Sequence, residues 1–137
     1  MRIMPDAFPP QQGSAFPEIP GVTFRRCDPS PEGDALTPLV LRVRIAPGAA
    51  HPFHAHPGVD EVIHVLEGEM EQWVGGQNKI MRPGESVFIG YGVVHGSYNV
   101  GANACELLAV LTPVKPTGPL VVDYSRVEPW ASMRQSG

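Results

Sequence analysis

Gly48-Ala-Ala-His51-Pro-Phe-His54-Ala-His56-Pro-Gly-Val-Asp-Glu61 is the stretch whose reading decides the fold. Successive side chains of a strand point to opposite faces, so His54 and His56, two apart, share a face. Glu61 has the wrong parity to join them on one continuous strand. Pro57-Gly58 lies between and supplies a turn that resets the phase, so that a second strand starts near Glu61. His95 stands far along the chain and reaches the group only by folding. A β-barrel that converged these three imidazoles and one carboxylate on an octahedral ion would leave two positions open. That suits catalysis rather than a closed structural site.

Outward from this stretch the chain reads as strands and turns. Leu39-Val-Leu-Arg42-Val-Arg44-Ile45 alternates, with the odd positions apolar and Arg42 and Arg44 facing the other way. Glu61-Val-Ile-His64-Val-Leu66 is followed by a turn at Glu67-Gly68, then by Glu69 to Val74, and Gly75-Gly76 makes the next hairpin turn. Ser86 to Ile89 and Cys105 to Leu111 complete the visible core. Sixteen prolines and fifteen glycines in 137 residues exclude a helical bundle and fit short strands joined by turns. The chain length suits one domain with a modest core.

Charge and composition exclude several partners. A net charge of −4 and a pI near 5.7 argue against nucleic acid, because no Lys/Arg cluster exists to neutralise phosphates. No apolar run approaches the ~20 residues of a membrane span. Met1 to Asp6 lacks the apolar stretch of a secretion leader. Cys27 and Cys105 show no metal, redox or disulfide spacing. They are expected as reduced thiols of a cytoplasmic protein, with Cys105 packed in an apolar run.

The spacing of the histidines resembles the cupin family. Its first motif, Gly, five residues, His-x-His, three or four residues, Glu, six residues, Gly, is met by Gly48, His54, His56, Glu61 and Gly68. Its second, Gly, five residues, Pro-x-Gly, two residues, His, three residues, Asn, is met by Gly84, Gly92, His95 and Asn99. Gly90 stands where the family usually has Pro, which leaves the turn before His95 less rigid. The resemblance covers roughly residues 40 to 112. It implies an all-β fold, the cupin jelly-roll barrel of antiparallel strands, with His54, His56, Glu61 and His95 as metal ligands. The expected cofactor is one divalent transition metal per chain, with Fe, Mn, Ni, Co, Cu and Zn all compatible with this donor set.

The expected organisation is a single domain over residues 1–137. It comprises a Pro-rich N-terminal arm (1–38), a barrel core with both motifs (39–112), and a C-terminal strand and tail (113–137). The arm holds eight of the sixteen prolines, with Val22 to Arg26 as its one strand-like piece. By resemblance it lies across a neighbouring surface, and a homodimer is expected.

Alternation also maps the pocket. With Glu61 inward, Ile63 and Val65 are inward and His64 faces out. On the following strand, inward Met70 and Val74 make Gln72 an inward polar residue, either a substrate contact or a core amide bonded to backbone. Phe53, Phe88, Tyr91 and Tyr98 either line the mouth or fill the core, with strand parity favouring the core. His51 falls three residues before His54, so it is read as out of phase, in the turn after Gly48 and at the surface, along with Arg42 and Arg44. The expected pocket is apolar with few polar anchors, and it lacks the inward Arg or Lys of a phosphosugar or dicarboxylate site. Three functional classes fit: a dioxygenase or related oxidoreductase on a small enolic or aromatic substrate, as in the quercetinase-like cupins; a non-redox isomerase, lyase or cyclase; and a ligand-binding or sensor barrel.

Overall fold

A computed structural model of the chain describes residues 18–27, 38–115 and 118–134. Most of the Pro-rich arm, and the arrangement expected for it, lie outside the described residues. The remainder is ten strands and one short helix. In chain order these are β1 (Val22–Arg26), β2 (Leu39–Ile45), β3 (Ala50–Ala55), β4 (Val59–Glu67) and β5 (Met70–Val74). Then come β6 (Gln77–Met81), β7 (Ser86–Ile89), β8 (His95–Tyr98), β9 (Cys105–Pro113), β10 (Val122–Asp123) and α1 (Trp130–Met133). No helix of the described residues is long and apolar enough to cross a membrane.

Two five-stranded antiparallel sheets face each other, a first in the order β1-β2-β9-β4-β7 and a second in the order β10-β3-β8-β5-β6. This is the jelly-roll that the cupin resemblance implies. Leu41, Val43 and Ile45 of β2 turn inward and pack with Leu107, Ala109 and Leu111 of β9, all at most 5% exposed. Arg42 and Arg44 turn outward, as their parity requires, and each reaches Glu106 at 2.8 Å. Burial would raise the Glu106 carboxyl, but the two guanidinium groups outweigh it and lower its pKa. Cys105 is fully buried, and burial beside Glu106 pushes its thiol up to about 11, the signature of a packing residue.

Turn chemistry follows the sequence closely. Gly68, between β4 and β5, has φ +76°, and a Cβ there would lie 2.6 Å from the Ala104 carbonyl oxygen, so only glycine fits. Asn99, almost fully buried, donates from Nδ2 to the carbonyls of Ile45 and Asn103, both at 2.9 Å, and its Oδ1 accepts from Gly101 N–H at 3.0 Å. One amide thereby ties the loop before β9 to the end of β2.

Of the four aromatic residues expected to favour the core, Phe53 and Tyr98 pack into one, and Phe88 and Tyr91 do not. Phe53 and Tyr98 lie in a second cluster on the outer side of the second sheet, with Trp73, Tyr124, Trp130 and Met133. The C-terminal segment packs there, and Arg134 sits 3.8 Å over the Tyr98 ring while its Nε donates to Glu71 at 2.7 Å. Phe88 and Tyr91 are 62% and 52% exposed. Val87 and Ile89 take the inward positions of β7, which turns Phe88 outward.

Candidate metal centre

His54 and His95 sit directly opposite each other on β3 and β8 of the second sheet, and Glu61 faces them from β4 of the first. His56 stands just beyond β3, where the turn at Pro57-Gly58 restarts the chain as β4. The turn does what the sequence reading asks of it: Glu61, Ile63 and Val65 are buried inward while His64 points away and pairs with the Ser86 hydroxyl at 2.6 Å. One potential ligand atom from each of His54, His56, Glu61 and His95 lies within 4.8 Å of the others, and all four residues are buried.

Backbone carbonyls set the tautomer of each ring. Nδ1–H of His54 donates to Pro52 O at 2.7 Å, that of His56 to Leu120 O at 2.7 Å, and that of His95 to Val93 O at 2.9 Å. With Nδ1 so committed, Nε2 is the atom each ring offers to the centre, and its neutral form is the one in which imidazole binds a metal. Glu61 Oε1 lies 2.9 Å from His95 Nε2 and 3.2 Å from His56 Nε2. Lone pairs facing one another at this separation need a cation between them. Glu61 Oε1 and His95 Nε2 are buried without a hydrogen-bond partner, which marks the same need. The donor set therefore fits a divalent transition metal.

The electrostatics point the same way. Burial, and then the charges of His51, His95 and His56, push His54 well below the ordinary imidazole range. For His56 burial opposes charge, but Glu61 and the Leu120 carbonyl outweigh it and raise the pKa. Burial opposes charge on Glu61 too, yet the facing His56 and His95 hold its carboxyl well below the usual carboxylate range. The centre keeps its anion and needs a positive charge beside it.

His51 is not in a turn at the surface. It lies in β3 and lines the cavity, its ring stacked on His54 with centroids 3.5 Å apart and planes within 8°, and the Phe24 ring nearly perpendicular to it at 5.4 Å. Burial pushes its imidazole down to about 3. The cause is a β-bulge: two residues of β3 between His51 and His54, Pro52 and Phe53, oppose one of β8 between Ser97 and His95, Gly96. The extra residue resets the parity and turns His51 inward. Phe53 N–H donates instead to the Tyr98 hydroxyl at 3.1 Å. Gly96 leaves the space, since a Cβ there would lie 2.8 Å from the Tyr98 ring and 3.2 Å from Phe53 N. Pro52 is the sequence signal for this bulge, because a proline inside a strand has no N–H for the ladder.

Gln72 is inward and 3% exposed, but its Oε1 accepts from Ser97 Oγ at 2.7 Å and its Nε2 donates to Trp73 O at 3.1 Å. Ser97, rather than Gln72, lines the cavity beside His54, His56 and Glu61. That cavity is small, with a volume of about 30 Å³. The turn before His95 carries Gly90 without loss of definition. Val93 N–H closes it on Gly90 O at 3.1 Å, Gly92 N–H reaches His56 O at 3.1 Å, and Tyr91 N–H reaches the Asp60 carboxylate at 2.8 Å.

Comparison with known proteins agrees with this geometry. The family model described as "Cupin domain" matches residues 41–111. This chain is a cupin. Among curated relatives, germin-like protein 3-8 of Oryza sativa subsp. japonica is 30% identical over 100 residues, covering 69% of this cupin and 44% of the relative. Oxalate oxidase GF-3.8 of Triticum aestivum is 29% identical over 110 residues, covering 64% and 49%. The cupin thus spans less than half the length of either plant protein. Among solved structures, a protein from Thermotoga maritima described as a predicted oxalate decarboxylase superposes with TM-score 0.70 at 25% identity, covering 83% of this chain and all of that one.

Proposed function

We propose that this cupin is a metal-dependent oxidoreductase acting on a small substrate that chelates through oxygen. The observation that carries the reading is the buried His54–His56–Glu61–His95 group, with two of its polar atoms unpartnered, beside an apolar cavity. Similarity to an oxalate oxidase supports the redox class over a non-redox one.

His54, His56 and His95 would hold the ion through Nε2 and Glu61 through its carboxylate. A divalent transition metal in that set supplies Lewis acidity and, where redox-active, a route for electrons. The protein's own part is orientation and exclusion of water. The carbonyls of Pro52, Leu120 and Val93 fix the rings, and apolar side chains of β2 and β9 wall the cavity. The two unbridged cysteines, Cys27 and Cys105, suit a reducing, cytoplasmic setting.

The test is anaerobic purification, metal analysis, and then oxygen-uptake screening of the metal-loaded protein against small enols, diketones, flavonols and hydroxy acids. Uptake that depends on both metal and substrate is the expected result. Product formed without oxygen consumption would move the protein to the Lewis-acid class, and tight binding without turnover to the binding class.

A further inference from the structure

At about 30 Å³ the metal cavity has room for roughly two water molecules, so an organic molecule does not fit as the chain stands. Its lining shows where it meets the surface. All but three of the residues around it are buried; Phe24, His51 and Val121 are half-buried and frame the mouth. Phe24 and His51 belong to β1 and β3, which are laddered to β2 and β8. Val121 belongs to neither sheet and stands just before β10, a strand of two residues.

The segment that carries Val121, residues 118–134, lies across the barrel as a strap. None of its residues is buried; Leu120, Tyr124, Trp130 and Met133 only pack half-buried against the two apolar clusters. Val122 and Asp123 pair with Ala55 and His54, the Leu120 carbonyl accepts from His56 Nδ1 at 2.7 Å, and Tyr124 N–H donates to Phe53 O at 2.9 Å. At the far end Arg134 donates from Nε to Glu71 at 2.7 Å and lies over the Tyr98 ring. The strap also bonds within itself, Val127 N–H to Tyr124 O and Ala131 N–H to Val127 O, so it can lift as one piece. Segments with few buried groups are the ones that open locally while the rest of a protein stays folded.

Resting on the metal-site reading above, we propose that this strap is the door of the metal cavity. Arg134 latches it, Val121 fills the mouth, and metal and substrate pass between Phe24 and the place that Val121 leaves. Lifting the strap also takes the Leu120 carbonyl from His56, so that ring has its orienting acceptor only when the door is shut. Access to the centre and its readiness to bind are thereby coupled through one segment.

The experiment measures the rates of Zn²⁺ uptake by metal-free protein and of Zn²⁺ release to a chelator, with Zn²⁺ itself as the probe of the mouth. Arg134→Ala removes one surface ion pair and one cation–π contact, so both rate constants should rise roughly three- to tenfold. A door speeds passage both ways, so the dissociation constant should stay unchanged. Val121→Ala, which leaves the latch in place, should also raise both rates together. Lys79→Ala breaks an ion pair with Glu85 on β6, at the opposite edge of the second sheet from β10, and should alter neither rate. Rates unchanged in Arg134→Ala and Val121→Ala would overturn the proposal. Faster release at unchanged uptake would overturn it too, because that pattern marks a strap that only props His56. Hydrogen exchange on the unmodified protein needs no variant to fold: the Tyr124 and Ala131 amides should exchange on the order of a hundredfold faster than those of β4 and β9, and equally slow exchange would overturn the door. A protein that takes up no Zn²⁺ at all would overturn the metal-site reading, whereas Zn²⁺ bound with unaltered rates in the variants would overturn the door alone.

Discussion

An imidazole whose Nδ1–H is already committed to a carbonyl has one lone pair left to give, and at His54, His56 and His95 it faces the same buried point. Alanine at any of the three leaves an incomplete shell, so metal content should fall well below one ion per chain in each. Glu61→Gln should weaken binding by removing the anionic donor. His64→Ala should retain the metal, because His64 faces away toward Ser86. Metal analysis of the folded variants checks this, and loss at His64 equal to loss at His95 would mean the register of β4 is wrong. Acid supplies a second residue-scale prediction. His54, buried, and His51, half-buried against it, are neutral in the folded chain, while in the unfolded chain they take protons near the ordinary value of 6.5. The unfolded state thus binds more protons below that value, and stability, complete above about pH 6.5, falls as pH drops toward the folded His51 value of about 3. The raised pKa of His56 contributes with the opposite sign, losing its share as pH rises through that pKa. For metal-free protein the denaturant midpoint should fall between pH 6.5 and 4, and less steeply in His51→Phe, which keeps the stacked ring and removes its proton site. An unchanged midpoint across that window would contradict burial of neutral imidazoles.

Elements rather than residues decide what each face of β3 presents. Its bulge depends on the Tyr98 hydroxyl, which accepts the Phe53 N–H that the ladder cannot use. Tyr98→Phe strands that donor, and a largely buried unpaired N–H costs about 1–3 kcal/mol. The variant should unfold at correspondingly lower denaturant with an unchanged m-value, and the unmodified midpoint would show that the hydroxyl carries no such role. Legibility also divides at this scale. The spacing of His54, His56 and Glu61 needs only the period of a strand and one turn, both local, whereas His95, far along the chain, joins them only through the cupin resemblance. His51 was read as outward because strict alternation ignores a bulge, although Pro52 carried the clue. Phe88 failed for a different reason: an unbroken apolar run such as Val87-Phe88-Ile89 does not state which parity faces in. The Leu120 carbonyl on His56 was beyond sequence reading, since a backbone acceptor 64 positions away leaves no side-chain signature.

At the scale of the whole molecule, the outer side of the first sheet carries a row that alternation would ordinarily make polar. Val40, Val110, Val62 and Phe88 sit in cross-strand register across β2, β9, β4 and β7, and Val62 and Phe88 are 38% and 62% exposed. The row ends at β7, which pairs only with β4 among the described residues, so an apolar stripe leads to an open sheet edge. Such an edge is an aggregation liability unless something covers it. A second copy of the chain is the occupant we predict, because a two-fold axis near β7 would set the same stripe and the same edge against themselves, and the closed pair would leave no further edge on that side. Light scattering at micromolar concentration should return about twice the chain mass of 14.8 kDa. Phe88→Glu places a charge in the middle of the contact and should shift the protein to monomer, with metal content unchanged because Phe88 points away from the centre. Its circular dichroism should match the unmodified protein, which separates loss of association from loss of fold. A mass near 14.8 kDa for the unmodified chain would rule the dimer out. A Phe88→Glu protein that remained dimeric would move the interface to another face.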